Sequence, residues 1–369
     1  MAPMLTIDGT FGEGGGQILR TSLGLSLVTG RPFVIERIRG GRSKPGLLRQ
    51  HLCGVRAAVE ISGADVEGDA LGSGRLVFRP GAVQPGEYHC SVGSAGSALL
   101  VLQAILPGLM LADGPSRIVL EGGTHNPWAP PFPFVTASFA PVLKRMGVGL
   151  ELTLERPGFY PAGGGRMIAN ITPTRRLKPI KLRHQKITGA RAIATVANVS
   201  DTVAERQLSV LRRKLRELSP ELRIERLEGA MSPGNCVRVE VDHGVDTACF
   251  VAFGERRKRP EKVAQAAARA TRDWMRRKVP VEEHLADQLL IPMALAGEGS
   301  FFTGPPSSHT TTNVHTIGQF LDVRFDINAL DDDAWVVAVS RQGPPRTRPE
   351  SSSGASTRCR DGRSAPRPT

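Results

Sequence analysis

Apolar and polar residues follow the same order in two separate segments of the chain, residues 14–41 and 93–124. Each segment reads as a glycine-rich turn, an apolar helix, a break that contains glycine, and a strand that ends in Gly-Gly. Behind each segment, over residues 47–62 and 133–147, apolar side chains recur at helical spacing, which predicts another helix. The repeated order predicts an internal repeat in which helices and strands alternate.

A third glycine-rich turn, PAGGGR at residues 161–166, precedes a stretch that alternates as a strand does. From residue 186 to residue 281, glycine turns become rarer and arginine-rich amphipathic stretches more frequent. The predicted elements there are strands over 187–197, 235–242 and 247–254, a helix over 200–219 that Ser200 or Asp201 caps, and a helix that Pro260 opens. We interpret 186–281 as a small α/β domain inserted into a large repeat domain, which covers 1–185 and 282–342.

The composition is that of a soluble globular protein, with 40% hydrophobic and 22% charged residues. The net charge of +13 favours an anionic partner. Residues 343–369 contribute +4 of that charge, through six arginines set against Glu350 and Asp361, and the rest of the chain contributes +9. This basic tail has almost no side chain that could join a core, so we predict that it is disordered.

Cysteine usage and the apolar stretches bear on the compartment. The five cysteines include no C-x-x-C pair, which favours a reducing cytoplasm over a disulfide framework or a zinc site. The amino terminus lacks the basic and apolar regions of a secretory leader. Residues 98–112 form the longest apolar stretch, but Gln103, Pro107 and Gly108 interrupt it and it is too short for a bilayer. The sequence therefore predicts a cytoplasmic protein with a buried apolar helix and no membrane partner.

Candidate chemistry begins with the glycine turn GEGGGQ at residues 12–17, because backbone N–H groups ahead of a helix can hold phosphate. The turn matches neither the dinucleotide fingerprint nor a Walker A loop, so a plain tight turn is an equally good reading. Glu13 in this turn is a candidate metal ligand, and Arg20 lies further along on the helix that follows. The loop over 38–50 presents four cations, which suit a terminal phosphate or simply a solvated surface: Arg39, Arg42, Lys44 and Arg49.

One histidine stands apart from the other seven. No two of the eight have the spacing of a familiar metal-ligand pair, so zinc catalysis has little support. His309 lies in SSHTTTN, a run of small hydroxyl residues that leads into an apolar-periodic helix. A histidine at such a helix start is either exposed to a ligand or an ordinary residue of the capping region.

Six blocks of the chain, in order, resemble those of the RNA 3′-terminal phosphate cyclase family. They are GEGGGQILR (12–20), GRSKPGLLRQHL (41–52), GSAGSALLVLQ (93–103), FYPAGGG (159–165), HLADQLLIPMALAG (284–297) and SSHTTTN (307–313). The resemblance runs from about residue 5 to about residue 340 and ends at the basic tail. It implies an α/β fold of the α+β type, in which a large domain of three repeated units, each two helices on a four-stranded sheet, carries a smaller inserted domain.

The resemblance also implies a reaction and a set of site residues. The enzyme would use ATP and a divalent metal, Mg²⁺ or Mn²⁺, to convert an RNA 3′-phosphate end into a 2′,3′-cyclic phosphate, with His309 as the histidine that becomes linked to AMP. The adenylate pocket would be formed by Gln103, His284, Leu285, Ala286, Asp287 and Gln288. The metal, the phosphates and the RNA end would be held by Glu13, Arg20, Arg39, Arg42 and Gln50. Two positions depart from the family, because its members often have Cys where this chain has Ser308 and Tyr where it has His284.

Three other readings differ in the class of protein. A non-catalytic cyclase-like scaffold of RNA processing or ribosome assembly would keep the fold but lack the nucleotidylated histidine, and His309 argues against it. An enolpyruvyl transferase has a related repeat architecture, but the six blocks favour the cyclase. A plain RNA-binding module would bind RNA without consuming ATP.

Overall fold

The computed structural model describes residues 3–342. The first repeat unit begins with strand β1 (Leu5–Asp8), helix α1 (Gly16–Thr29) and strand β2 (Phe33–Glu36). It continues with helix α2 (Arg49–Ser62) and strands β3 (Asp65–Glu67) and β4 (Leu76–Arg79). The sheet has the order β1-β2-β4-β3, in which β1 and β2 are parallel and the other neighbours antiparallel. The positive φ of Gly30 and of Gly63 ends α1 and α2.

The second unit repeats this topology. It contains β5 (Glu87–Ser91), α3 (Ala98–Leu109) and β6 (Ser116–Gly122), then α4 (Phe132–Phe134), a π-helical turn (Val135–Phe139) and α5 (Ala140–Arg145), and finally β7 (Gly149–Arg156) and β8 (Gly165–Thr172). Its sheet has the order β5-β6-β8-β7, again with the first two strands parallel. The helix predicted over 133–147 thus forms with a π turn inside it, and the turn at 161–166 joins β7 to β8.

A third sheet is interrupted in sequence. Its first strand, β9 (Ile180–Leu182), is followed by β10 (Ile187–Ala197), α6 (Asp201–Lys214), β11 (Glu221–Arg226), β12 (Gly234–His243), β13 (Asp246–Phe253) and α7 (Pro260–Arg277). These six elements form a separate sheet of order β11-β10-β12-β13 with two helices. The side chain of Ser200 caps α6, and Pro260 is the first residue of α7, where its missing N–H costs no hydrogen bond.

The third unit resumes after the insertion with α8 (Glu283–Ala296), β14 (Glu298–Thr303), α9 (Ser308–Phe320), β15 (Val323–Ala329) and β16 (Trp335–Arg341). With β9 these strands form the order β9-β14-β16-β15, and β9 and β14 are parallel. Three sheets of residues 3–342 therefore share one topology. This architecture confirms the mixed α/β class expected from the sequence.

Helices of the three units pack against one another and bury the main core. Helix α1 contacts α2, α3 and α9, and α8 contacts α9. One continuous cluster of buried apolar side chains runs from Ile7 to Val339. A second cluster lies almost wholly between Ala192 and Val279. The domain boundaries at 186 and 281 stay a prediction. In residues 3–342 no helix combines the length and apolar character needed to cross a bilayer.

The predicted disorder of the basic tail concerns residues 343–369, which lie outside the described residues. We expect that a chain ending at residue 342 melts within a few degrees of the full chain, because the tail has too little apolar surface to stabilise the core. Thermal unfolding of the two proteins, followed by circular dichroism, measures this. A loss of ten degrees or more would show that the tail is part of the folded structure.

Candidate active site

Loops that follow the parallel strands of the first and third units meet at one place. The loop between β1 and α1 contacts the loop between β2 and α2, since a Cβ added to Gly14 would lie 3.0 Å from the Cα of Gly41. Gly14 also has a φ of +59°, which side chains rarely adopt. From the third unit, Thr312 of α9 accepts a hydrogen bond from the Glu13 backbone N–H at 3.1 Å. Glycine thus lets the two loops and the Thr312 side chain approach closely here.

His309 stands in the first turn of α9, where the hydroxyl of Ser307 caps the helix by accepting from the Thr310 N–H at 3.1 Å. About half of its side chain is exposed, at 49%. Its Nδ1 atom lies 2.9 Å from Gln17 Oε1 and 2.7 Å from Glu13 Oε2. Both oxygens are acceptors, so the ring proton belongs on Nδ1. The Nε2 atom therefore keeps its lone pair.

The surroundings of His309, above all its burial, favour the neutral form of the imidazole. Burial lowers the pKa of His309 below its usual value of 6.5, and the nearby Arg20 and Arg42 lower it further, while the carboxylate of Asp287 opposes them. Burial also lowers the pKa of Arg20, to about 10, so this guanidinium stays charged at neutral pH. The site therefore combines an uncharged imidazole with cations, an arrangement suited to phosphate chemistry.

Asp287 of α8 holds the first turn of α9 in place. Its carboxylate accepts hydrogen bonds from the hydroxyls of Ser307 and Thr310, and burial raises its pKa. Asn313, one turn further along α9, donates to the Asp287 backbone carbonyl at 3.3 Å and accepts from Thr21 of α1 at 2.7 Å. These contacts fix His309 relative to α1 and α8, although α1 is far from the other two helices in sequence.

Gln103 joins the arginine of α1 to the cleft between α3 and α8. Its Oε1 atom accepts from Arg20 Nε at 3.0 Å, and its Nε2 atom donates to Gln288 Oε1 at 2.8 Å. The cleft beside these hydrogen bonds is otherwise lined mainly by apolar side chains of α3, the π turn and α8. Of the other residues expected at the adenylate pocket, His284 is exposed on the first turn of α8, whereas Leu285 and Ala286 belong to the main core.

Glu13 is the residue that could hold a metal. One carboxylate oxygen contacts the Arg42 guanidinium, and the other, Oε2, is buried and makes no hydrogen bond of good geometry within residues 3–342. No group of three or more His, Cys, Asp and Glu side chains with metal-ligating geometry occurs in the described part of the chain. A single carboxylate fits a cation such as Mg²⁺, which keeps several waters and takes its other ligands from phosphate.

Two further expected residues lie at the edge of the site. The guanidinium of Arg39 donates to backbone carbonyls of its own loop, those of Lys44 and, at 3.0 Å, Gly46. Gln50, in the first turn of α2, accepts from the Ser97 backbone N–H at 2.6 Å and so ties α2 to the loop before α3. Both side chains therefore shape loops around the site.

His51 belongs to the site and was not singled out from the sequence. Its Nδ1 atom accepts from the Leu48 backbone N–H at 3.2 Å, which leaves the ring proton on Nε2. A Cβ added to Gly16 would lie only 2.3 Å from that Nε2 atom, so glycine is needed for the approach. Burial, with Arg20 and Arg39, lowers the pKa of His51 to about 3, so it is a neutral hydrogen-bond donor. The feature of the sequence that could have identified His51 is its place next to Gln50 in the block at 41–52.

Comparisons with known proteins identify the family of this chain. A family model described as RNA 3′-terminal phosphate cyclase matches residues 11–327. The chain belongs to the RNA 3′-terminal phosphate cyclase family and is an enzyme of that class. It is 48% identical over 340 residues to the RNA 3′-terminal phosphate cyclase of Koribacter versatilis, covering 92% of this chain and 96% of the relative. It is 47% identical to that of Ralstonia nicotianae, covering 92% and 97%, and 46% identical to that of Ectopseudomonas mendocina, covering 86% and 93%.

Proposed function

We propose that this protein converts RNA 3′-phosphate ends into 2′,3′-cyclic phosphates, using ATP and a covalent AMP–histidine at His309. The observation that carries the proposal is the state of His309: a half-exposed neutral imidazole, its Nδ1 hydrogen-bonded to Gln17 and close to the Glu13 carboxylate, and its Nε2 left with a lone pair. Neutral imidazole is a nucleophile at physiological pH.

The reaction then has three displacements at phosphorus. In the first, His309 Nε2 forms a bond to the α-phosphorus of ATP, and the bond to the bridging oxygen breaks, so pyrophosphate leaves. In the second, an oxygen of the RNA 3′-phosphate takes the AMP and frees the histidine. In the third, the adjacent 2′-hydroxyl attacks the 3′-phosphorus, loses its proton and expels AMP.

Charge stabilisation is the main work asked of the other side chains. Arg20 and Arg42 both lie close enough to influence His309, so their guanidiniums are suited to the phosphates that react there. Helix α1 has no side-chain cap at Gly15, which leaves N–H groups at its start for phosphate oxygens. A divalent metal bound at Glu13 Oε2 would neutralise phosphate charge.

We assign the adenosine of the nucleotide to the cleft between α3 and α8. It offers an apolar wall with the amides of Gln103 and Gln288 at its edge, and amides can recognise the polar edge of a base. We assign His284 to the mouth of this pocket, and Leu285, Ala286 and Asp287 to its supporting helix turn. On the RNA side we assign Arg39, Arg42 and Gln50 to the loops that receive the 3′-phosphate end.

The direct test is intact-mass spectrometry after incubation with ATP and Mg²⁺ or Mn²⁺. The protein should gain the mass of one AMP and lose it when RNA with a 3′-phosphate is added, while 2′,3′-cyclic ends appear. A protein that binds RNA but takes up no AMP under either metal would be a binding module, and the proposal would be wrong.

The pH dependence of AMP uptake follows from the lowered pKa of His309. Only the neutral imidazole has the lone pair, so the uptake rate without RNA should be flat between pH 7 and pH 8. It should fall as the pH drops through a pKa below 6.5, because protonation removes the nucleophile. Rapid-quench measurement of the adduct over this range checks this. A rate that still rises tenfold between pH 7 and pH 8 would contradict the neutral ground state.

Recognition of the RNA end should depend on Arg42. Arg42→Ala should reduce the preference for a 3′-phosphate over a 3′-hydroxyl by about tenfold or more, because a charge-assisted hydrogen bond to phosphate is lost. Competition binding with the two RNAs measures the preference. Arg212→Ala, which removes an exposed arginine from α6, is the matched control and should leave it unchanged. If Arg42→Ala also leaves the preference unchanged, the assignment is wrong.

A further inference from the structure

Two aromatic side chains are almost fully exposed. Trp128 is 88% and Tyr160 is 71% exposed, in a chain of which only 5% is aromatic. Large aromatic side chains normally bury most of their surface, because exposure forfeits the hydrophobic contribution. Phe11 is also exposed, but its ring stacks on His315 with centroids 3.7 Å apart. Trp128 and Tyr160 are therefore the exposed rings that need an explanation.

The loop that contains Trp128 is equivalent in topology to two loops of the candidate active site. It lies between β6 and α4, after the second strand of the second unit. The same loop of the first unit, between β2 and α2, carries Arg39 and Arg42. In the third unit it lies between β14 and α9 and leads to His309. The second unit thus presents Trp128 where the other two units present site residues.

The two exposed rings are mounted on a fixed base. His125 and Phe159 form an isolated β-bridge, and their rings stack with centroids 4.8 Å apart. Trp128 lies three residues after His125, and Tyr160 directly follows Phe159, so their Cα atoms are no more than about 20 Å apart. The His125 N–H donates to the Gly158 carbonyl at 3.1 Å, and this bond also joins the two loops. The backbones of the two loops therefore need little ordering when a ligand binds.

The same loops are connected to the proposed RNA end of the site. The amide of Asn126 donates to the Ala95 carbonyl at 2.8 Å, and a Cβ added to Gly163 would meet the Ala95 Cα at 2.6 Å. The loop that contains Ala95 is in turn held by Arg49, which donates to the Gly93 carbonyl at 3.1 Å, and by Gln50. The loops that carry Trp128 and Tyr160 are therefore tied to Gln50 through the loop that contains Ala95.

We propose that Trp128 and Tyr160 form a stacking platform for the unpaired bases that precede the 3′-phosphate nucleotide of the RNA. Bases of single-stranded RNA stack on aromatic side chains whatever their sequence. Arg49 and Arg156, whose Nε atom donates to the Gly164 carbonyl, border the platform and are suited to the phosphates of the same strand. The proposal rests on the proposed function, because it extends the RNA site of that reaction.

The test compares 3′-phosphorylated RNAs of two and eight nucleotides. For the wild-type protein the KM of the longer RNA should be the lower. Trp128→Ala and Tyr160→Ala should each raise the KM of the eight-nucleotide RNA about tenfold with little change for the two-nucleotide RNA, while Trp128→Phe should retain most of the advantage. Val245→Ala, at a 69% exposed site on the inserted domain, is the control and should keep the wild-type values.

Tryptophan fluorescence gives a readout that does not require turnover. The eight-nucleotide RNA should quench the exposed Trp128, and Trp128→Phe should remove most of this quenching, because Trp274 is buried and Trp335 is half-buried. AMP uptake without RNA is measured on the same variants. If Trp128→Ala loses AMP uptake, Trp128 acts on the nucleotide and the platform proposal is wrong. The proposal is also wrong if the quenching and the KM values do not depend on RNA length. If the wild type takes up no AMP but shows length-dependent quenching, the platform stands and the proposed function fails.

Discussion

His309→Ala should abolish both the AMP adduct and the cyclisation of 3′-phosphate RNA. The variant keeps Gln17 and Glu13 but has no ring nitrogen to attack the α-phosphorus, so the first displacement cannot occur. Turnover should fall below detection. Mass spectrometry of the protein incubated with ATP, and separation of the RNA products, measure the two losses.

RNA that already carries AMP on its 3′-phosphate should still be cyclised by His309→Ala. The attack of the 2′-hydroxyl does not use the imidazole as nucleophile, so the last step should survive.

On the wild-type protein the adduct should be lost in acid and persist in alkali, because protonation of the ring nitrogen makes the histidine a better leaving group.

The matched control for this prediction is His315→Ala, on the same helix. The His315 ring stacks on Phe11, and its Nε2 atom hydrogen-bonds to Gln319 at 3.1 Å, so it is already engaged elsewhere. This variant should retain the adduct. An adduct on His309→Ala, or on a lysine of the wild type, would overturn the mechanism.

Glu13→Gln should slow AMP uptake by about a hundredfold or more. The substitution keeps the shape of the side chain but removes the charge that would bind a divalent metal, and charge neutralisation of the phosphates by a metal contributes several kcal/mol. The remaining activity should need a higher metal concentration for half-maximal uptake. Uptake rates across a Mg²⁺ and a Mn²⁺ titration measure both effects.

The control for Glu13→Gln is Glu283→Gln, which removes an exposed carboxylate whose charge also reaches His309. It should change the metal dependence little, since its side chain is solvated rather than buried beside the imidazole. If Glu13→Gln and Glu283→Gln show the same metal dependence as the wild type, Glu13 is not a metal ligand. It would then act on His309 alone.

The sequence by itself determined the local elements. The helices behind the glycine turns, strand β6 that ends at a glycine pair and the predicted elements of 186–281 form close to where their periodicity predicted them, because apolar spacing and caps act within a few residues. Strand β2 instead ends at Glu36, before Gly40 and Gly41, and β11 was not predicted. His309 at the start of a helix was also predicted, since the small hydroxyl residues around it are capping residues. The π turn inside 135–139 was not, because it changes one turn of an otherwise helical pattern.

The tertiary structure alone decided how these elements form a site. His309 and Gln17 are 292 positions apart, and only the packing of α9 against α1 brings Nδ1 to its acceptors. The approach of His51 to Gly16 and the exposure of Trp128 likewise depend on how loops of different units meet. Periodicity reports which face of an element is buried, whereas the contacts between distant elements arise from the packing of the whole chain.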